Sequence, residues 1–132
     1  MSPAEIFARG VWKLLPDEED CTWVRVAANT PGSDKPLGDY GPIIKEMLDK
    51  GIAPETIARF AKIIAYDAAG SICYHTEDPS ASYEGFPDEE EKLSWVLALI
   101  DDNQNTIGFI SGIHALLLGM DPSGREMRPK KS

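Results

Sequence analysis

The sequence lacks any hydrophobic run long enough to cross a bilayer. Its longest apolar stretch, Ile107 to Met120, has 14 residues with His114 inside it, whereas a spanning helix needs about 20. Cysteine is scarce as well. Cys21 and Cys73 cannot build the disulfide framework of a small secreted protein. The opening Met1-Ser2-Pro3-Ala4-Glu5 has neither the basic nor the apolar region of a signal peptide. The cytosol is therefore the expected compartment.

Bases are few through most of the chain. Residues 1–124 hold 9 bases against 21 acids, a net of −12, and four further bases (Arg125, Arg128, Lys130, Lys131) crowd the C-terminal end. Such a body repels phosphate and anionic lipid, so neither nucleic acid nor a membrane surface is an expected partner. No glycine cluster follows a strand and opens a helix, which excludes the phosphate-loop and dinucleotide fingerprints. No nucleophile elbow surrounds Ser71 or Cys73. No paired-histidine or Glu-x-x-His spacing marks a metal centre, and no cofactor is expected.

What the chain does have is helical periodicity. In the stretch Pro54 to His75, Ile57, Phe60, Ala61, Ile64, Ala68 and Ile72 fall on one stripe at 100° per residue, with Arg59, Lys62, Tyr66 and Ala69 opposite. Its 22 residues would span about 33 Å. Pro54 suits the first helical position, and Ile52 with Ile57 has the spacing of a hydrophobic staple. Pro42 opens a shorter helix that Gly51 would end, so the two segments form an αα-hairpin. A resemblance of Met47 to Ile64 to a DNA-reading hairpin fails on charge, since only Arg59 and Lys62 would meet phosphate.

The remaining segments are punctuated by cap and turn signals. Ser2, Pro3 and Glu5 form a capping box, although Gly10 threatens to break the helix behind it. Asp17 to Asp20 prime a helix over Cys21 to Ala28, with a strand as the rival. Asn29 to Gly41 reads as a loop. Asp88 to Glu91 sit at the start of a helix 88–101, with Leu93, Val96, Leu97 and Ile100 on one face. Residues 106–119 read as the most buried helix, with Gly108, Gly112, Ala115 and Gly119 as a small-residue stripe. The expected fold is all-α: a bundle of five or six helices around 54–75 and 106–119. Residues 1–124 would form a single domain, and 125–132 a basic, flexible tail.

Two functional readings follow. The first is a small acidic interaction protein, adaptor- or immunity-like, that binds a basic protein partner. Its binding residues would be Glu77, Asp78, Asp88, Glu89, Glu90, Glu91, Asp101 and Asp102, which cluster in loops and at helix starts. The second is a small hydrolase or isomerase, with His75 as base near the centre of the helical stripe. Asp67, Glu77 or Asp78 would orient it, and His114 would stand nearby. A metal would require His75 and His114 to meet beside Glu77, Asp78 or Asp121. Asp101-x-Asn103-x-Asn105 begins like a calcium loop, but Thr106 replaces its glycine and Gly112 its glutamate. The expected state is a monomer or a weak homodimer.

Overall fold

The computed structural model describes residues 1–78 and 94–131. It corrects the all-α expectation. Among the described residues, five α-helices are joined by a two-stranded antiparallel sheet, so the chain is mostly helical but mixed. The order is α1 (Pro3–Leu14), α2 (Thr22–Ala28), α3 (Tyr40–Asp49), α4 (Pro54–Glu77), β1 (Leu97–Ile100), β2 (Thr106–Ile110) and α5 (Ile113–Leu117). A 3-10 turn, Leu118–Met120, continues α5. None of these helices is long and apolar enough to cross a membrane.

Both expected C-terminal helices are overturned by the hairpin. Residues 88–93 of the first lie outside the described residues, but 94–96 are irregular and 97–100 are β1. Residues 106–110 of the second are β2, and only 113–117 are α-helical. Turn chemistry explains the change. Asp101 Oδ1 accepts the amides of Asn103 (2.9 Å) and Asn105 (3.0 Å), while the Gln104 amide donates to the Asp101 carbonyl at 2.9 Å. Such side-chain-to-backbone bonds compete with a helix and close a tight turn. Beyond it, Thr106, Ile107, Phe109 and Ile110 are β-branched or aromatic, and Gly108 is a poor helix former. The register pairs Leu97 with Ile110, Ala98 with Phe109 and Leu99 with Gly108, then shifts to pair Ile100 with Thr106. Ile107 is thus the extra, bulged residue. With no helix across 106–119, the small-residue stripe does not exist.

Residues Leu15–Ala65 form one compact unit. Its core is Val24, Ala27, Ile44, Ile57 and Ala58, with Cys21, Trp23, Met47 and Leu48 packed against it. Residues 22–28 are helical rather than extended. Asp20 Oδ1 accepts both the amide (3.0 Å) and the hydroxyl (2.6 Å) of Thr22, an Asx turn that leads into the helix, whose N-cap position is held by Cys21 with no side-chain cap. Gly41 is buried at the start of α3, and a Cβ there would collide with the carbonyl oxygens of Ala27 and Thr30. Only glycine lets α3 come this close to the end of α2. At the far end of α3 the amides of Gly51 and Ile52 return to the carbonyls of Leu48 and Met47, with Gly51 at φ +87°. That is a Schellman closure.

Met1–Leu14 and Tyr66–Ser132 make up the second unit. Ala8, Trp12, Cys73, Ile113 and Leu117 are its buried apolar residues. Trp12 stacks on Tyr66 with ring centroids 5.3 Å apart, and its Nε1–H donates to the Leu117 carbonyl at 2.8 Å. Asp121 is buried and accepts from the Ser123 amide, the Ser123 hydroxyl and the Met127 amide. This closes the Asp121-Pro122-Ser123-Gly124 turn and brings residues 125–127 to half-buried positions.

The first helix runs unbroken through Gly10. Ser2 Oγ accepts the Glu5 amide at 3.2 Å and donates to Glu5 Oε1 at 3.1 Å, so the cap forms. Gly10 is exposed, and a Cβ there meets nothing within 4 Å. Gly10→Ala should therefore raise stability by about 0.5–1 kcal/mol, read from urea denaturation, by removing backbone freedom from the unfolded chain.

Candidate functional site

The side of α4 that the structure buries is only partly the apolar stripe: Ile57 is buried and Ala61 half-buried, while the rest of the stripe is exposed. Ala58, Lys62 and Cys73 are buried, and Ala65, Tyr66 and Ala69 half-buried, whereas Phe60, Ile63, Ile64, Ala68 and Ile72 face solvent. Small side chains on the inner side allow close packing, and two polar groups there find partners. Glu18, 6% exposed, accepts from Arg59 Nη1 at 2.8 Å and from Lys62 Nζ at 3.2 Å. Burial alone would raise the Glu18 carboxyl. The guanidinium and the ammonium outweigh that effect and hold it below its ordinary value. Sequence reasoning missed this cluster because it treated Glu18 as one of four acids beside a helix start. The signal was the i, i+3 pair Arg59 and Lys62, flanked by Ala58, Ala61 and Ala65 on the close-packed side of α4.

Drawing these two cations inward changes the outer surface of α4. The exposed charges left on this helix are all acids: Glu55, Asp67 and Glu77. Phe60 (62% exposed) and Ile64 (53%) face solvent in the Leu15–Ala65 unit, and Ile72 (63%) in the other unit.

At the C-terminal end of α4 lies an aromatic cluster. His75 is half-buried, with its ring 4.9 Å from that of Trp95, and its carbonyl accepts Trp95 Nε1–H at 2.9 Å. His114 is exposed and tilts over Tyr74 at 4.8 Å. The two imidazoles thus rest on different rings. Asp67 is exposed and precedes His75 by eight residues on the same helix, an axial rise of about 12 Å that puts it beyond hydrogen-bond reach. Among the described residues, no group of three or more His, Cys, Asp or Glu is placed to hold a metal ion. Cys73 is buried, and burial followed by the charge of Glu77 raises its thiol pKa, the reverse of an activated nucleophile.

Two of the proposed acidic contacts have structural duties. Glu77 Oε1 accepts the His114 amide at 3.1 Å, at the second residue of α5. Gly112, the residue preceding that helix, has no side chain to cap it, so Glu77 supplies the missing acceptor from a distant element. Glu77→Ala should cost about 1 kcal/mol in chemical denaturation. Asp101 organises the hairpin turn, and the Asn105 amide above all holds its carboxyl below the usual range. Asp78 and Asp102 are exposed, while Asp88, Glu89, Glu90 and Glu91 lie outside the described residues.

A cleft of about 560 Å³ runs between residues 28–32 and the outer side of α3. Its charged lining is balanced, with Lys45 and Lys50 against Glu46 and Asp49, and Lys50 bridges Glu46 at 3.3 Å. These groups converge on no common point for catalysis. Comparison with protein-family models, curated proteins and solved structures returns no match.

Proposed function

We propose that this chain is a protein-interaction module that engages a basic partner through the outward side of α4. The observation that carries this reading is the exposure of Phe60, Ile63 and Ile64, all within the Leu15–Ala65 unit, on a helix whose exposed charged side chains are acids. Apolar surface of this kind, rimmed by polar groups, marks an interaction site. Charge selects the partner. The chain's net charge of −9 attracts cationic side chains and repels acidic or phosphate-bearing surfaces, so the charge steers encounter while the apolar side chains hold the complex. A cytosolic setting is part of the proposal, supported by Cys21 and Cys73, neither of which is in a disulfide.

Affinity capture from the source organism's lysate tests it, using wild type, Phe60→Ser with Ile64→Ser, and Glu55→Lys with Asp67→Lys. A basic protein retained by the wild type at low salt should be lost from both double variants and reduced in high salt. A third arm, with Glu89, Glu90 and Glu91 changed to Lys, asks whether those acids contribute. Equal retention by the wild type and both double variants contradicts the assignment of the site to α4.

A further inference from the structure

We infer that the cleft between residues 28–32 and α3 is a binding site for a small zwitterion, an α-amino acid with an apolar side chain. Its walls are preformed. Gly41 seats the start of α3 against the carbonyls of Ala27 and Thr30, and a Cβ on Gly32 would stand 3.1 Å from Pro42 Cγ. The amides of Asn29 and Thr30 return to carbonyls at the end of α2, and the Thr30 hydroxyl donates to the Val26 carbonyl at 3.2 Å. Pro31 and Pro42 restrict the backbone on either wall. The volume, about 560 Å³, lies within the range of small-molecule sites.

Charge order along α3 specifies the ligand. Residues four apart on a helix are neighbours, and an acid placed N-terminal to a base pairs better than the reverse. Glu46 precedes Lys50, and the two bridge at 3.3 Å. Lys45 precedes Asp49, and among the described residues neither side chain has an ion pair or hydrogen bond. The cleft is thus lined by an ammonium and a carboxylate one turn apart, neither of them neutralised. An anionic ligand would leave Asp49 unanswered, and a cationic one would leave Lys45 so. An α-amino acid answers both, with its carboxylate on Lys45 Nζ and its ammonium on the Asp49 carboxylate. Asn29, whose side-chain amide also has no hydrogen bond among the described residues, offers a donor and an acceptor to the same groups. Ala28, Pro31 and Pro42 supply the apolar part of the lining, against which the ligand's side chain lies.

Titration of the isotope-labelled full chain with leucine, followed through its amide resonances, tests the inference. Leucine should move the amides of Ala28 to Thr30 and of Lys45 to Lys50 in the millimolar range and leave the others in place. N-acetyl-leucine lacks the ammonium and leucinamide lacks the carboxylate. Each should bind about tenfold more weakly, the worth of one hydrogen bond to a charged group. Lys45→Met should weaken leucine and leave leucinamide unchanged, whereas Asp49→Asn should weaken leucine and leave N-acetyl-leucine unchanged. Both side chains are exposed, so neither change threatens the fold. Lys45→Asp with Asp49→Lys puts the acid first, so the pair should close on itself and no longer take leucine. Phe60→Ser with Ile64→Ser should bind leucine as the wild type does, which keeps this site separate from the partner surface on α4. Absence of shifts through the millimolar range overturns the inference. So do shifts scattered over the surface, equal binding of leucine and its two derivatives, or undiminished binding by the Lys45 and Asp49 variants.

Discussion

Glu18→Ala should destabilise the protein by about 3–5 kcal/mol, because it removes one partner from a buried ionic cluster. The carboxylate is buried, and Lys62 beside it is only 5% exposed. Both Arg59 and Lys62 lose an acceptor at once. The asymmetry is physical: two desolvated cations were tolerable because an anion lay within 3.2 Å of each. Without it, the buried ammonium loses an anion that offsets its desolvation. A pH series gives a second readout. The Glu18 pKa is lowered from its ordinary 4.5, so its contribution is complete above that value and is lost as pH falls through the lower folded pKa. The stability gap between wild type and Glu18→Gln should therefore be constant near neutrality and close in acid. A gap that widens as pH falls would mean that Glu18 is not held ionised by these cations.

Trp12→Ala should cost a comparable 3–5 kcal/mol. The indole is 6% exposed, stacks on Tyr66 and ties α1 to the end of α5 through the Leu117 carbonyl. Three losses combine: apolar burial, ring stacking, and a buried carbonyl left without that donor. Trp12→Phe separates them, since it keeps an aromatic ring but not the N–H, and should cost about 1–3 kcal/mol. Guanidinium denaturation of the two variants checks both figures. If Trp12→Ala falls within about 0.5 kcal/mol of wild type, the range of an ordinary surface substitution, Trp12 is not a core residue.

Local signals in the sequence were read well where they act over one turn. The Ser2-Pro3-Ala4-Glu5 start depends on a side chain and an amide three residues away, and the Gly51 end of α3 on backbone bonds around a glycine. The second helix, α2, begins beside Asp20 as expected, although Cys21 rather than Asp20 holds its N-cap position. Those geometries are encoded in short spacings. Residues 97–110 were misread because Leu93, Val96, Leu97 and Ile100 match a helical spacing while Leu97 to Ile100 also form a continuous apolar run. Periodicity alone does not decide between those readings. The Asx bonds of Asp101 and the β-branched residues after it tipped the balance toward a hairpin.

The α4 error has a different origin. An apolar stripe identifies the buried side of a helix only when apolar burial is the strongest demand on it. Here Glu18 draws Arg59 and Lys62 inward, and alanines make room for them, so that side packs and the stripe beyond Ile57 and Ala61 is left out. Much of the candidate site is the consequence of that inversion. The same long-range contact is invisible to any local pattern, because Glu18 and Lys62 are 44 residues apart. The Glu77 cap on α5 escaped notice for the same reason, acting across 37 residues.

The exposure of the α4 apolar side is the claim on which the partner site rests, and Phe60 tests it most directly. Denaturant unfolding of Phe60→Ser should give a stability within about 0.5 kcal/mol of wild type, since a solvent-facing phenylalanine has little burial to lose. A loss of about 3–5 kcal/mol, the cost of emptying a core aromatic site, would place Phe60 inside the fold and contradict the account.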